Sequence, residues 1–269
     1  MYRLIACDLD ETLLDKKRHV SSKTQEAIKK AEAAGVVFAP ATGRGFYSIK
    51  QTLEELDAAN RAGHYMIGFN GGVIVENYGP KIIKEFPMPY DILARLFEFG
   101  SKYEVAIHLY TFDQTYVYHS NPNEDAYLLT IPHEKREDDD YYFLKEQTCY
   151  KALFQHLDRT YLEKLEQEMP EDLREALEIS YSSNRYIEFN PKGVDKGVAL
   201  KHLATHLTIP MEETIAIGDN TNDLAMIRAA NLGVAVSNAV PAVKEAAQHT
   251  TKTSHEESAV AEVIETFIG

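Results

Sequence analysis

The feature that most restricts this chain is a repeated junction: a short, unbroken apolar run that stops at a polar, glycine- or aspartate-bearing segment. Residues 2–7 run into Asp8-Leu9-Asp10, 36–41 into Thr42-Gly43-Arg44, 65–69 into Asn70-Gly71-Gly72, and 214–217 into Gly218-Asp219. A strand with one wet face alternates apolar and polar residues, whereas a continuous apolar run belongs to a strand covered on both faces, as in a parallel sheet. Helical compositions separate the runs. Residues 22–34 lie between a serine N-cap, Ser21 or Ser22, and a Gly35 stop, and 47–56 form a second helix. This β-α-β-α-β order predicts right-handed crossovers in an α/β domain. The rhythm returns at the far end, with helix 195–207, strand 214–217, helix 221–230, strand 232–236 and helices at 240–247 and 257–268.

Between the two blocks the rhythm changes. Helices are expected at 89–103, 122–129 and 158–168, with antiparallel strands at 105–110, 116–119, 151–155, 178–182 and 186–189. The expected organisation is a Rossmann-like α/β core with a parallel sheet, formed by 1–83 and 190–269. Residues 84–189 are expected to form an inserted α+β domain, with proline-marked joints near 84–89 and 190–193.

Charge narrows the partners. The 269 residues carry 42 acidic and 28 basic side chains, a formal net charge of −14. That balance argues against neutralising nucleic-acid phosphates and against docking on an anionic membrane. Of these, 22 acidic and 11 basic side chains fall in 84–189, so the acidity belongs chiefly to the insert. Two cysteines, Cys7 and Cys149, make neither a disulfide framework nor a multi-cysteine zinc site. The first apolar run is broken at Asp8, too short for a secretion signal, and no stretch approaches the roughly 18 apolar residues of a spanning helix. A cytoplasmic protein, monomeric or weakly self-associating, is the expectation.

In an open parallel sheet, ligands bind beyond the carboxyl ends of the strands, where each of these junctions falls. Several carboxylates gathered there repel one another unless a cation sits among them, and oxygen-only ligands favour Mg²⁺ over zinc. Asp8 and Asp10 can divide labour, one attacking phosphorus and the other handling a proton. Thr42 offers a hydroxyl and Gly43 an approachable N–H, a reasonable phosphate cradle. Lys196 opens a helix, where it could hold the nucleophile and a phosphate oxygen together. On its own, a DxD after a strand is more often turn chemistry than catalysis; Thr42, Lys196 and Asp219/Asp223 in register raise it above that.

Taken together, Asp8-Leu9-Asp10-Glu11-Thr12-Leu13-Leu14, Ala41-Thr42-Gly43-Arg44, Asp195-Lys196-Gly197 and Gly218-Asp219-Asn220-Thr221-Asn222-Asp223 resemble the haloacid dehalogenase superfamily. More narrowly they are similar to the Cof-type phosphatases, which carry a large α/β cap between the second and third motifs. The resemblance implies a Mg²⁺-dependent phosphatase of small phosphorylated metabolites, sugar phosphates first, working through an aspartyl-phosphate. It implies Asp8 as nucleophile and metal ligand, and Asp10 as general acid and base that gives the metal only its backbone carbonyl. Phosphate contacts fall to the Leu9 N–H, Thr42, the Gly43 N–H, Lys196 and Asn222. Asp219 becomes the second carboxylate ligand, with Asp223 behind it. A phosphomutase or other phosphoryl transferase, or a phospholigand sensor without turnover, are the competing readings.

Some positions stay open or depart from the pattern. Arg44 could touch substrate or phosphate, or pair with Glu11 or another acid, and Asn70 could line the site. Lys192 competes with Lys196, although its place at the joint favours solvent. Glu11 stands where many relatives have glycine, His255 where an asparagine is expected, and Ala259 where a glycine is. Cys7 is expected to be a small buried hydrophobe. His108, His119, His133 and His156 lack metal-ligand spacing, and Tyr141-Tyr142 behind the EDDD cluster at 137–140 read as a solvated flank.

Overall fold

Strand Leu4–Cys7 is buried along its whole length, as its unbroken apolar run requires, and shortening a side chain such as Ile5 to alanine there costs about 2–5 kcal/mol. The structure, a computed structural model, describes residues 1–128 and 131–269. It divides into two compact units. One comprises Met1–Arg44, Ile49–Lys84 and Asp195–Gly269, the other Gly45–Ser48 and Glu85–Val194. The expected joints were 83/84 and 189/190; strand Tyr186–Pro191 carries the inserted unit past residue 189.

In the first unit a five-stranded parallel sheet has the order His249–Thr250, Leu232–Ala235, Thr214–Gly218, Leu4–Cys7, Val37–Pro40. Its register pairs Cys7 with Ile217 on one side and with Pro40 on the other. Three chain segments therefore leave the sheet at the same level: Asp8 donates its N–H to Ile217 O at 2.9 Å, and Ala41 donates to Cys7 O at 2.8 Å. Helix Ser22–Ala33 is capped by Ser21, whose Oγ accepts from the Thr24 N–H, and buries Ala27, Ile28 and Ala31. Gly35 follows it at φ 88°, a value glycine adopts without strain.

Two expectations change here. The run at 65–69 was expected as a third parallel strand; Tyr65–Gly68 meets the large sheet by a single parallel bridge, Ala41 to Ile67. It instead belongs to a three-stranded sheet with Val73–Glu76 and Lys81–Glu85, neither of which was foreseen. The expected helix 47–56 begins as a 3₁₀ turn, Phe46–Ile49, before Lys50–Glu55.

The inserted unit holds a six-stranded sheet in the order Leu177–Ser182, Tyr186–Pro191, Cys149–Gln155, Ala106–Thr111, Thr115–Tyr118, Glu134–Arg136. All its pairings are antiparallel except the last. Alternation sorts its two faces. Ile107, Leu109, Phe154, Ile187 and Phe189 pack with Leu93, Leu96 and Phe97 of helix Tyr90–Gly100 and with Leu162 and Leu165 of helix Arg159–Glu168. On the other face Lys151 and Glu188 form a buried ion pair at 2.8 Å. The helix expected at 122–129 spans Pro122–Leu128, and position 129 lies outside the described residues. Among the described residues, no helix is long and apolar enough to cross a membrane.

Candidate active site

Helix Lys196–His206 starts where it must to deliver its first residue to the strand ends. Asp195 caps it, its side chain accepting from the Val198 N–H at 2.7 Å. Gly197 permits the close approach of the next element, because a Cβ there would meet Ala225 O at 2.4 Å. Between the cap and the glycine, Lys196 is fully buried. Its Nζ donates to Asp8 Oδ1 and to Asp223 Oδ1, both at 2.6 Å.

Asp223 uses both its oxygens. While Oδ1 accepts from Lys196, Oδ2 accepts the backbone N–H groups of Asp219 and Asn220 at 3.0 and 3.1 Å. The Asn220 side chain completes a capping box with Asp223 over the turn Thr221–Asp223. Asp219 is held from the other side by Thr12, whose hydroxyl donates to its Oδ1 at 3.0 Å. Asp8, Asp219 and Asp223 can each present an oxygen within 4.8 Å of the others.

Three buried carboxylates and one ammonium leave negative charge in excess. Burial and the Asp223 charge push the Asp8 carboxyl up to about 7 against the pull of Lys196. Burial and the charges of Asp8 and Asp223 push Asp219 up to about 9. Burial alone would lower the Lys196 ammonium, but the Asp223 and Asp8 charges outweigh it and hold it above the usual lysine range. A hard cation among these oxygens would relieve the excess, so the donor set fits Mg²⁺.

Asp10 stands apart from that cluster. Its carboxylate is about half exposed and is gripped by Arg44, whose Nε donates to Oδ2 at 2.9 Å while Nη2 reaches Oδ1. This pairing answers the question the sequence left open for Arg44. Thr42 is buried and its hydroxyl accepts the Arg44 N–H at 3.1 Å, with Gly43 half-buried between them. Asn70 is buried in the left-handed region, φ 54°, and its Oδ1 accepts from Asn222 Nδ2 at 3.4 Å. The Leu9 side chain is buried, and its carbonyl accepts the N–H groups of Thr12, Leu13 and Leu14, which turns the chain back after the strand. Lys192 pairs with Glu178 in solvent, so of the two candidates Lys196 is the buried one.

Thr12 and Asn238 were not singled out from the sequence. Thr12 lies in the quoted first motif, so its position was a signal. Asn238 had none: it donates to Glu11 O at 2.8 Å and accepts the His255 N–H at 3.0 Å, tying two loops together. Glu11 takes φ 59° and Ser258 φ 69°. The left-handed position near the C-terminus is therefore Ser258, while Ala259 begins helix Ala259–Phe267. Cys7 is buried, its Sγ on Asp8 O at 3.2 Å and its thiol raised by burial. His108 is buried and pushed down to about 3 by that burial. His119 pairs with Asp139, and His133 and His156 lie against backbone carbonyls.

A parallel sheet whose strand ends gather aspartates around a buried lysine places this unit in the Rossmann-like α/β class. The sequence matches the profile described as haloacid dehalogenase-like hydrolase over residues 5–264. Bacillus subtilis YxeH is 32% identical over 265 residues, 95% of each chain. Phosphoglycolate phosphatase of Methanobrevibacter smithii is 30% identical over 98% of this chain and 97% of its own. The solved haloacid dehalogenase-like hydrolase from Bacteroides thetaiotaomicron matches with a TM-score of 0.85 and 31% identity, over 99% of both chains. The chain belongs to the haloacid dehalogenase-like hydrolase family.

Proposed function

We propose that this hydrolase, a phosphatase by its kin and by its site, removes phosphate from small phosphorylated metabolites through an aspartyl-phosphate on Asp8. One observation carries the reading: Lys196, wholly buried, bridges Asp8 and Asp223 beside Asp219 at the carboxyl ends of the strands. Lys196 holds Asp8 oriented by one oxygen, and its charge is available to a phosphate oxygen as the phosphoryl group arrives. The other Asp8 oxygen attacks phosphorus. Asp10 donates a proton to the leaving oxygen, then accepts one from the water that hydrolyses the acyl-phosphate.

Thr42, the Gly43 and Leu9 N–H groups and Asn222 would bind the remaining phosphate oxygens. Asp8, Asp219 and the Asp10 carbonyl would hold Mg²⁺. When bound, Mg²⁺ supplies charge neutralisation for the transferring group. Asp223, with both oxygens engaged, holds Lys196 and the Asp219 backbone in place. The inserted unit is the part proposed to select the leaving group. A relative named for phosphoglycolate supports a small metabolite, and sugar phosphates are the substrates proposed here.

The test is release of inorganic phosphate from p-nitrophenyl phosphate and from a panel of sugar phosphates, with and without Mg²⁺. Turnover should need the ion, and Asp8→Asn should abolish it. Full turnover by Asp8→Asn would show the nucleophile to be wrong. Transfer to a sugar hydroxyl in place of phosphate release would favour a mutase.

A further inference from the structure

The Arg44–Asp10 contact is an odd use of an arginine. The pair is partly exposed, with Arg44 19% and Asp10 47% accessible at their side chains, so it adds little to stability. Yet the guanidinium meets both carboxylate oxygens, through Nε and Nη2, the arrangement that fixes a carboxylate's plane as well as its position. The Arg44 backbone is itself anchored. Its N–H donates to Thr42 Oγ1 at 3.1 Å, and its carbonyl accepts the Phe69 N–H at 3.1 Å. Asp10 lies in a turn set by the Leu9 carbonyl, which three following N–H groups share. Both main chains are thus fixed, and the remaining freedom is that of a short, half-exposed aspartate side chain, which Arg44 removes.

We propose that Arg44 is a positioning residue for the proton-transfer step: its fork orients the Asp10 carboxyl toward the leaving oxygen. This rests on Asp10 being the general acid of the proposed phosphatase. The chemistry gives it a signature. A leaving group such as p-nitrophenolate departs with little help from a proton, whereas the alkoxide of a sugar phosphate does not. An acid held out of line therefore slows the second substrate far more than the first, while a lost phosphate contact slows both alike.

The experiment measures kcat and KM of the Mg²⁺-loaded enzyme on p-nitrophenyl phosphate and on the fastest sugar phosphate, for Arg44→Leu, Arg44→Lys, Asp10→Asn and Asp8→Asn. Thermal melts verify folding. Should Arg44→Leu melt early, Arg44→Lys, which keeps the charge but cannot present two parallel N–H groups, carries the test. General acid catalysis supplies about 10²–10⁴-fold. Arg44→Leu should therefore cut sugar-phosphate kcat/KM, which reports transfer to Asp8, by about 10²-fold and p-nitrophenyl phosphate kcat/KM only a few-fold. On both substrates kcat also carries the shared aspartyl-phosphate hydrolysis that Asp10 serves as base. Arg44→Lys should show the same imbalance, and Asp10→Asn a larger one.

If Arg44→Leu lowers kcat/KM equally for both substrates, the positioning role is overturned and Arg44 is a phosphate contact. If Asp10→Asn itself lowers kcat/KM equally for both substrates, the acid assignment fails and the inference falls with it. Full turnover by Asp8→Asn would mark failure of the phosphatase reading as a separate result.

Discussion

Gly71 lies so close to Asp195 that a Cβ on it would sit 2.2 Å from the Asp195 carbonyl oxygen. The turn after strand Tyr65–Gly68 thus rests directly on the cap of the helix that carries Lys196. Gly71 also has φ 103°, a value side chains disfavour. Gly71→Ala combines both strains and should lower stability by about 2 kcal/mol or more. Urea unfolding checks this, and phosphate release should fall with it, because the displaced cap shifts Lys196. An unchanged midpoint would mean the turn relaxes without cost.

Lys196→Met removes the ammonium and leaves Asp8 and Asp223 buried without it. Breaking such a contact on one side costs about 3–5 kcal/mol, and turnover should disappear. Urea unfolding in Mg²⁺ and in chelator measures the loss, which should be larger in chelator. Wild-type stability in both would remove Lys196 from the centre of the site.

Stability should depend on pH in opposite senses to metal. Asp8 is raised to about 7 and Asp219 to about 9, each from an ordinary 3.8. Without metal the folded state binds more protons than the unfolded one once pH passes about 4, so stability is full below that pH and is lost as pH rises through 7 and then 9. Mg²⁺ displaces those protons, so the melting-temperature rise it gives should grow from about pH 5.5 to about pH 8. A metal effect independent of pH would contradict the raised carboxyls.

Glu11 occupies φ 59° with an acidic side chain. Glycine enters that region freely, so Glu11→Gly should raise stability by about 0.5–1 kcal/mol, measured by urea unfolding. Destabilisation would show that the Glu11 side chain makes a stabilising contact outweighing its backbone strain.

The inserted unit holds 22 acidic against 11 basic side chains. If it faces the leaving group, monophosphates should turn over faster than bisphosphates or nucleoside triphosphates of similar size, and less so at high salt. Faster turnover of the more highly charged compounds would argue against that placement.

The core was legible because its strands are buried on both faces: their runs are unbroken, and each ends on a polar junction. Asp8 and Asp219 followed from those ends, and Lys196 from the helix it opens. Val73–Glu76 and Lys81–Glu85 were hidden because four or five residues after a glycine pair carry no periodicity that separates a hairpin from a loop. The partner of Arg44 was unreadable for a different reason. A long side chain can reach an acid anywhere nearby in space, and only the turn after Leu9 presents Asp10 to it. That Ser258 takes a left-handed φ of 69° just before helix Ala259–Phe267 was unreadable, because residue pattern does not show the backbone conformation at a helix start.

Asp8 and Asp219 stand over two hundred positions apart in the chain, yet the pairing of Leu4–Cys7 with Thr214–Gly218 makes them neighbours. During synthesis the first aspartate emerges long before the second exists. The two carboxylates are consequently brought together only when this long-range strand pair forms. If the proposed cation sits between them, its uptake is a timestamp for closure of the sheet, and a nascent chain released before residue 219 would carry Asp8 without its partner carboxylate.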